Sequence, residues 1–270
     1  MVAGGAIDKY ALVYGAADGK VSATPNANFI GTALDSASGD GSYISVARGV
    51  VVASPGDLTG QVVFDDDLLT TFPAAGAAIT LPSPWAKRET EGLGVTSEAA
   101  AGGIVTLEFD AVAEVAAAAL FHGTAHFDLD KAPIFEALVN LVDEGDAAAV
   151  TFRFGLVSGD NATFASIAQY ALFEIAGDTR DIKFTSKDGT TTVAAVDTTV
   201  DFATGFQNFK IDATDKEDVK VYINGARVLP ATTFKLDATA RVMPWFAVVK
   251  TSNDTTAEMQ VDRVRLTASR

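Results

Sequence analysis

Three groups of side chains have the type and spacing to do chemistry. Glu108 and Asp110, with Glu114 following, form an acidic group. Retaining glycoside hydrolysis needs two carboxyl groups about 5–5.5 Å apart, and residues i and i+2 of a strand share a face. Glu108 and Asp110 meet the second condition. A Glu-x-Asp-x-x-Glu spacing would place the third acid at Ala113, however, and Glu114 comes one residue late. Ala-rich neighbours and the lack of a nearby Trp favour a solvated acidic face. Glu258 and Asp262 share parity in the same way. The second group is His122 and His126, with Thr124 and Asp128 on the same side of a strand. Strand residues four apart lie roughly 13 Å from each other, too far to chelate one ion, so a polar strand face is expected rather than a metal site. The third group is Asp65-Asp66-Asp67, which offers the oxygens calcium prefers. It lacks the glycine and distal glutamate of an EF-hand loop and reads as a solvated acidic loop. No metal and no cofactor is expected. Of the two Trp, Trp85 lies beside Lys87 and Arg88 and is the candidate for stacking on a glycan; Trp245 stands in an apolar strand and reads as core.

Composition narrows the function classes. The chain has 270 residues, 20 Lys+Arg against 35 Asp+Glu, a net charge of −15, 2 His and no Cys. Nucleic-acid binding draws on clustered Lys and Arg that displace counterions, and this acidity argues against it. Without Cys there is no disulfide, thiolate ligand or Cys nucleophile. No G-x-S-x-G elbow and no phosphate-binding glycine loop occurs. The N-terminus lacks the basic start and apolar core of a signal peptide, and no stretch approaches the roughly 18 apolar residues of a membrane span. The expectation is a soluble chain made in the cytoplasm, with no enzymatic activity and no membrane partner.

The elements that must position these groups read almost wholly as β. In residues 149–157 Val150, Phe152, Phe154 and Leu156 alternate with Thr151 and Arg153, the period of a half-buried strand. Residues 119–129 alternate likewise, with Phe121, Ala125, Phe127 and Leu129 on one side. Val219–Ile223 runs into Asn224-Gly225, a strong two-residue hairpin signal because both turn positions need positive φ. Lys187-Asp188-Gly189 and Asp18-Gly19 give two further turns. Near the end, Met259 and Val261 sit in one parity and Val264 and Leu266 in the other. Both pairs can face one core only across a β-bulge near Asp262–Arg263. The Ala-rich run 111–120 favours helix by propensity but is short enough to be one turn or more strand. The Ser/Thr/Asp stretches near 158–163 and 251–256 read as exposed turns.

Texture divides the chain. Residues 1 to about 62 are rich in Gly and small residues; those from about 74 hold both Trp and nearly all the Phe. Between them Pro73, Pro82 and Pro84 interrupt any ladder, so the hand-over is placed within 62–84, with domains 1–72 and 73–270. Both parts are acidic, net −5 through Phe72 and −10 beyond.

The first part carries Asp18-Gly19-Lys20-Val21, Ile30-Gly31-Thr32-Ala33-Leu34 and Gly39–Gly41 leading into Tyr43–Val46. This resembles the small β-tulip domains of tailed-phage head decoration (cement) proteins. The second part carries Leu107-Glu108-Phe109-Asp110, Phe154-Gly155-Leu156-Val157, Ala171–Ile175, Phe209-Lys210-Ile211-Asp212, Val219–Gly225 and Val261–Leu266. It resembles a concanavalin A-like (laminin-G-like) jelly roll. Together the resemblances imply an all-β, non-enzymatic virion protein on the outer capsid surface. It would bind the major capsid protein and assemble as a homotrimer. The N-terminal domain would dock through a small-residue arm, residues 1–9, and through Val2, Ala3, Ile7 and Tyr10. The alternative is a carbohydrate-binding adhesin or receptor-binding module that recognises surface glycans.

Overall fold

The fold is seen in a computed structural model. It describes residues 85–90, 94–97, 103–123, 125, 127–145, 149–237 and 240–269 of the large region. In the N-terminal region it describes 2–4, 6–7, 12–15, 21–22, 29–33, 38, 40–43, 46–48, 61–66 and 68. The chain divides into two compact units, Met1–Asp66 and Asp67–Ser269.

The N-terminal unit contains β1 (Val2–Gly4), β2 (Leu12–Gly15), β3 (Val21–Ser22), β4 (Phe29–Ala33), β5 (Asp40–Tyr43), β6 (Val46–Arg48) and β7 (Gln61–Asp66). The first six form a sheet in the order β5-β1-β3-β2-β4-β6, with β1 and β3 parallel. The Asp18-Gly19 turn lies outside the described residues, but the strands that flank it pair antiparallel, as a hairpin there requires.

The large unit is a sandwich of two sheets. Its strands are β8 (Trp85–Glu89), β9 (Gly94–Ser97), β10 (Val105–Phe109), β11 (Glu114–His122), β12 (Phe127–Asp128), β13 (Ile134–Asp143), β14 (Val150–Val157) and β15 (Gln169–Ala176). They continue as β16 (Asp181–Asp188), β17 (Thr192–Asp201), β18 (Gln207–Asp212), β19 (Lys220–Ile223), β20 (Ala226–Val228), β21 (Arg241–Asn253) and β22 (Ala257–Ser269). Sheet one runs β20-β19-β18-β13-β22-β10-β9; sheet two runs β17-β16-β15-β14-β21-β11-β8. The Ala-rich run is therefore strand: Ala116, Ala118 and Leu120 are buried between the sheets, and tertiary pairing overrides the helix preference of Ala.

Phe rings from both sheets fill the interior. Phe154 and Phe173 of sheet two meet Phe209 of sheet one edge-on, with ring centroids 4.8 and 5.0 Å apart, a favoured aromatic geometry. Phe135 approaches Phe246 at 6.1 Å. The alternation expected of residues 149–157 holds, with Val150, Phe152, Phe154 and Leu156 all buried. Among the described residues one cation lies inside: Lys250, fully buried, donates to the carbonyls of Asp110 (2.8 Å), Val112 (2.9 Å) and Thr255 (3.3 Å). Pro244 stands in the interior strand β21, where a missing N–H would normally break a ladder. It falls where the neighbour changes, between the Phe121–Trp245 pair of β11 and the Phe127–Val242 pair of β12.

The inferred punctuation is present. Asn224 (φ 50°) and Gly225 (φ 81°) make the β19–β20 turn. Asp188 closes the β16–β17 turn: its carboxylate accepts from the amides of Thr191 (2.6 Å) and Thr190 (3.0 Å), which hold it below the ordinary aspartate range. The bulge lies where the phase change demands it. Leu138 pairs with Arg263 and Val139 with Val261, leaving Asp262 as the extra residue.

Candidate functional site

The residues singled out by sequence are not brought together. Glu108 ends in sheet one, where it accepts from Thr96 Oγ1 at 3.1 Å; Glu114 opens β11 of sheet two. The three acids therefore belong to different sheets and the connection between them. Glu258 lies opposite Glu108, and it shares its outward parity with Asp262, four residues on along the same strand. His122 is 7% exposed, edge-on to Trp85 at 6.2 Å and to Phe127 at 6.4 Å. It points into the core, which corrects the expected polar face; His126 and Thr124 lie outside the described residues. Asp128 pairs with Arg241 at 2.8 Å. Asp65 and Asp66 belong to strand β7 rather than a loop, and Asp67 lies outside the described residues. Among the described residues no group of three His, Asp or Glu is placed to hold a metal.

Trp85 is 3% exposed and packs 6.3 Å from Phe246. Its ring offers no face to a sugar, because β8 is drawn into the sheet beside β11 and turns the indole inward. At the N-terminus Val2 and Ala3 belong to strand β1, which pairs with β5 and β3, so residues 2–4 are not a free arm. Ile7 is 2% exposed and has no surface to dock with. Tyr10 lies outside the described residues.

The structure instead distinguishes the outward faces of the two sheets. On sheet two, strand alternation turns Trp245, Arg153, Tyr170 and Arg88 away from the core, and residues 158–168 fold over them. Trp245 donates its indole N–H to Asp160 Oδ1 at 2.9 Å. Arg88 holds the same carboxylate with two bonds, Nε to Oδ2 at 2.7 Å and Nη2 to Oδ1 at 2.9 Å. Burial pushes the Asp160 carboxyl up, but bonds from Arg88 and Trp245, the Arg88 charge and the Asn161 amide outweigh it. They hold the group below the ordinary aspartate value. Phe164 in the loop packs tilted against Tyr170, ring centroids 4.8 Å apart, and Arg153 lies 4.1 Å over the Phe164 ring while pairing with Glu174 at 2.6 Å. Lys187 closes the edge by donating to the carbonyls of Ala165 and Ile167. Beneath this cover Ala119, Val157, Ile167, Leu172, Met243 and Ala247 form a second apolar cluster. The face is filled by the chain's own residues.

Among the described residues no loop lies over β20, β19, β18, β13 and β22 of sheet one, whose outward side chains are half-buried or exposed. The register puts one residue from each strand in a line: Arg227 opposite Tyr222, Tyr222 opposite Lys210, Lys210 opposite Glu136, Glu136 opposite Arg265. Alternation explains the direction. On β19 Val221 and Ile223 are buried and Tyr222 is not; on β22 Val264 and Leu266 are buried and Arg265 is not. The bulge at Asp262 is what turns Arg263 and Arg265 outward. Lys210 Nζ stands 5.1 Å from the Tyr222 ring centroid, within cation–π range. The ion pairs here are long, Arg265–Glu136 and Lys210–Asp212 at 3.7 Å and Arg227–Asp218 at 4.0 Å. Arg227 and Arg265 keep 37% and 42% of their side chains exposed. A polar cleft of about 470 Å³ elsewhere is lined by Asp143, Glu144, Asp178 and Asp254; Asp143 is already bonded to Gly145 and Thr256, and Glu144 to Arg180.

No family model and no curated protein matches the chain. Solved structures do. A β-glucanase of Bacillus licheniformis shares 11% identity at a TM-score of 0.53, covering 77% of this chain and 98% of that one. The carbohydrate recognition domain of Emp47p shares 12% at 0.50, covering 73% and 94%. A protein of unknown function from Shewanella oneidensis shares 14% at 0.52, covering 83% and 97%. At such identity the likeness is one of fold, and the sandwich is a concanavalin A-like jelly roll. None of these names points to a capsid protein, a trimer or a tulip domain. The expectation of a chain without enzymatic activity is also overturned as an argument from architecture, since glycoside hydrolases are built on this sandwich.

Proposed function

We propose that the chain is a carbohydrate-binding protein whose site is the open face of sheet one around Tyr222. The observation that carries this reading is the register of the row. It sets a half-buried aromatic ring on the outward face of the sheet, with Arg227 opposite on one side and Lys210 opposite on the other. A sugar has apolar C–H faces and a rim of hydroxyls. A ring such as Tyr suits the first, having an apolar body and a polar tip, and guanidinium and ammonium donors suit the second. Structures of this fold named for carbohydrate recognition and for glucan complexes support the reading. The capsid reading has no comparable observation behind it.

A glycan array followed by calorimetry tests it. The wild type binds at least one glycan class, and Tyr222→Ala abolishes that binding while leaving the melting temperature within a few degrees. A blank array, or a Tyr222→Ala protein that binds like the wild type, overturns the proposal.

A further inference from the structure

Although the chain carries −15 overall, the open face does not share that sign. Arg227, Lys210 and Arg265 stand in one row, and the neighbouring rows add Arg263, opposite Leu138, and Lys220, opposite Asp212. In the row itself Arg265 faces Glu136, Lys210 lies beside Asp212 and Arg227 beside Asp218. The pairs that form are at 3.7–4.0 Å, and the Arg227 and Arg265 side chains stay 37% and 42% exposed. Donors held this loosely remain available to an incoming anion.

The spacing is regular. Adjacent strands lie about 4.8 Å apart. Arg227, Lys210 and Arg265 occupy every second strand of the path β20-β19-β18-β13-β22, so the cations recur about every 10 Å. That is close to the run of two linked pyranose rings. The intervening positions are Tyr222, a ring surface, and Glu136, an acceptor for hydroxyl donors.

We infer that the glycan is a linear acidic polysaccharide with one anionic group per disaccharide, lying across the strands along the Arg227–Tyr222–Lys210–Glu136–Arg265 row. This rests on the carbohydrate-binding reading of the same face and adds the charge, the repeat and the direction of the chain. Each anion sits at one cation, and the sugar between two anions packs against Tyr222 or bonds to Glu136. The remaining surface, being acidic, repels the same polymer and confines it to this strip.

The test titrates three hexasaccharides against the full chain by calorimetry. They are hyaluronan, with one carboxylate per disaccharide; its carboxyl-reduced neutral form; and desulfated chondroitin carrying one added sulfate per disaccharide in place of the carboxylate. The expected result is that a charged hexasaccharide binds at least tenfold more tightly than the neutral one and weakens as salt rises from 50 to 300 mM. Which charged form is preferred distinguishes carboxylate from sulfate. Arg227→Gln, Lys210→Gln and Arg265→Gln each lower the affinity about two- to fivefold, whereas Lys183→Gln on sheet two does not. Equal binding of charged and neutral forms, or charge variants that bind like the wild type, overturns this inference and leaves the carbohydrate reading standing. Failure of all three hexasaccharides overturns it too, and a blank glycan array as well would remove the reading beneath it.

Discussion

The two outward faces of the sandwich use the same kinds of residue to opposite ends. Both carry arginines, carboxylates and aromatic rings in cross-strand register. On sheet two the ion pairs close to 2.6–2.9 Å and a loop lies over them; on sheet one they stay at 3.7–4.0 Å and face solvent. The difference comes from one connection. Residues 158–168 return over β14, β15 and β21 before β15 begins, whereas β18, β19 and β20 are joined by turns too short to cover anything. Charges under a cover must be paired, because a partner left alone there keeps its desolvation cost. Charges on an open face need no such pairing and contribute little to stability. The closed face therefore holds the fold together, while the charges of the other face are held more loosely.

The comparison is broken most severely at Trp245. Trp245→Ala removes a buried indole from beneath the loop and leaves Asp160 with one donor fewer; a loss of about 3–5 kcal/mol is expected, read as the shift in urea midpoint. Asp160→Asn comes next. Its side chain is 11% exposed and that of Arg88 21%, so the pair is only partly screened and about 2 kcal/mol is expected, below the full cost of a deeply buried pair. The acid dependence has a definite sign. A carboxyl held below 3.8 in the folded chain stabilises fully above that pH and loses its contribution as acid protonates it. The gap between wild type and Asp160→Asn should thus be constant at neutral pH and narrow below about pH 4. The smallest effect belongs to the open face: Arg227→Gln or Arg265→Gln should change stability by less than about 0.5 kcal/mol. A larger loss would mean that this face is structural after all.

What the sequence made legible was local. The alternation of Val150, Phe152, Phe154 and Leu156, the Asn224-Gly225 turn and the phase change at Asp262 each follow from rules that operate over a few residues. What stayed hidden was the pairing of distant ones. Residues 158–163 look like an exposed turn by composition. Only the fold brings Asp160 to Arg88 and Trp245, 72 and 85 residues away. Phe121 misled in a related way: it suggested the core side of β11, but that strand is apolar on both faces, since the second cluster lies above it. Alternation therefore puts His122 on a polar strand face, whereas it lies inside. The row on sheet one could not be read either. Glu136, Lys210, Tyr222, Arg227 and Arg265 are each recognisable as outward residues, but their alignment depends on strand order and register, which no single segment records.

The bulge at Asp262 has a consequence for how such a chain can evolve. Asp262 and Arg263 stand where one residue would fit opposite Leu138. Losing one residue at this point would leave a regular strand, with Val264 and Leu266 still facing inward and Arg265 outward. Losing a residue from the regular ladder beyond it is a different matter, because every later side chain would change face. The last strand thus behaves like a text with one spare letter: a deletion here keeps its frame, and the same deletion further on shifts it. Among descendants of this sequence, length should be held more loosely at this point than along the rest of the strand.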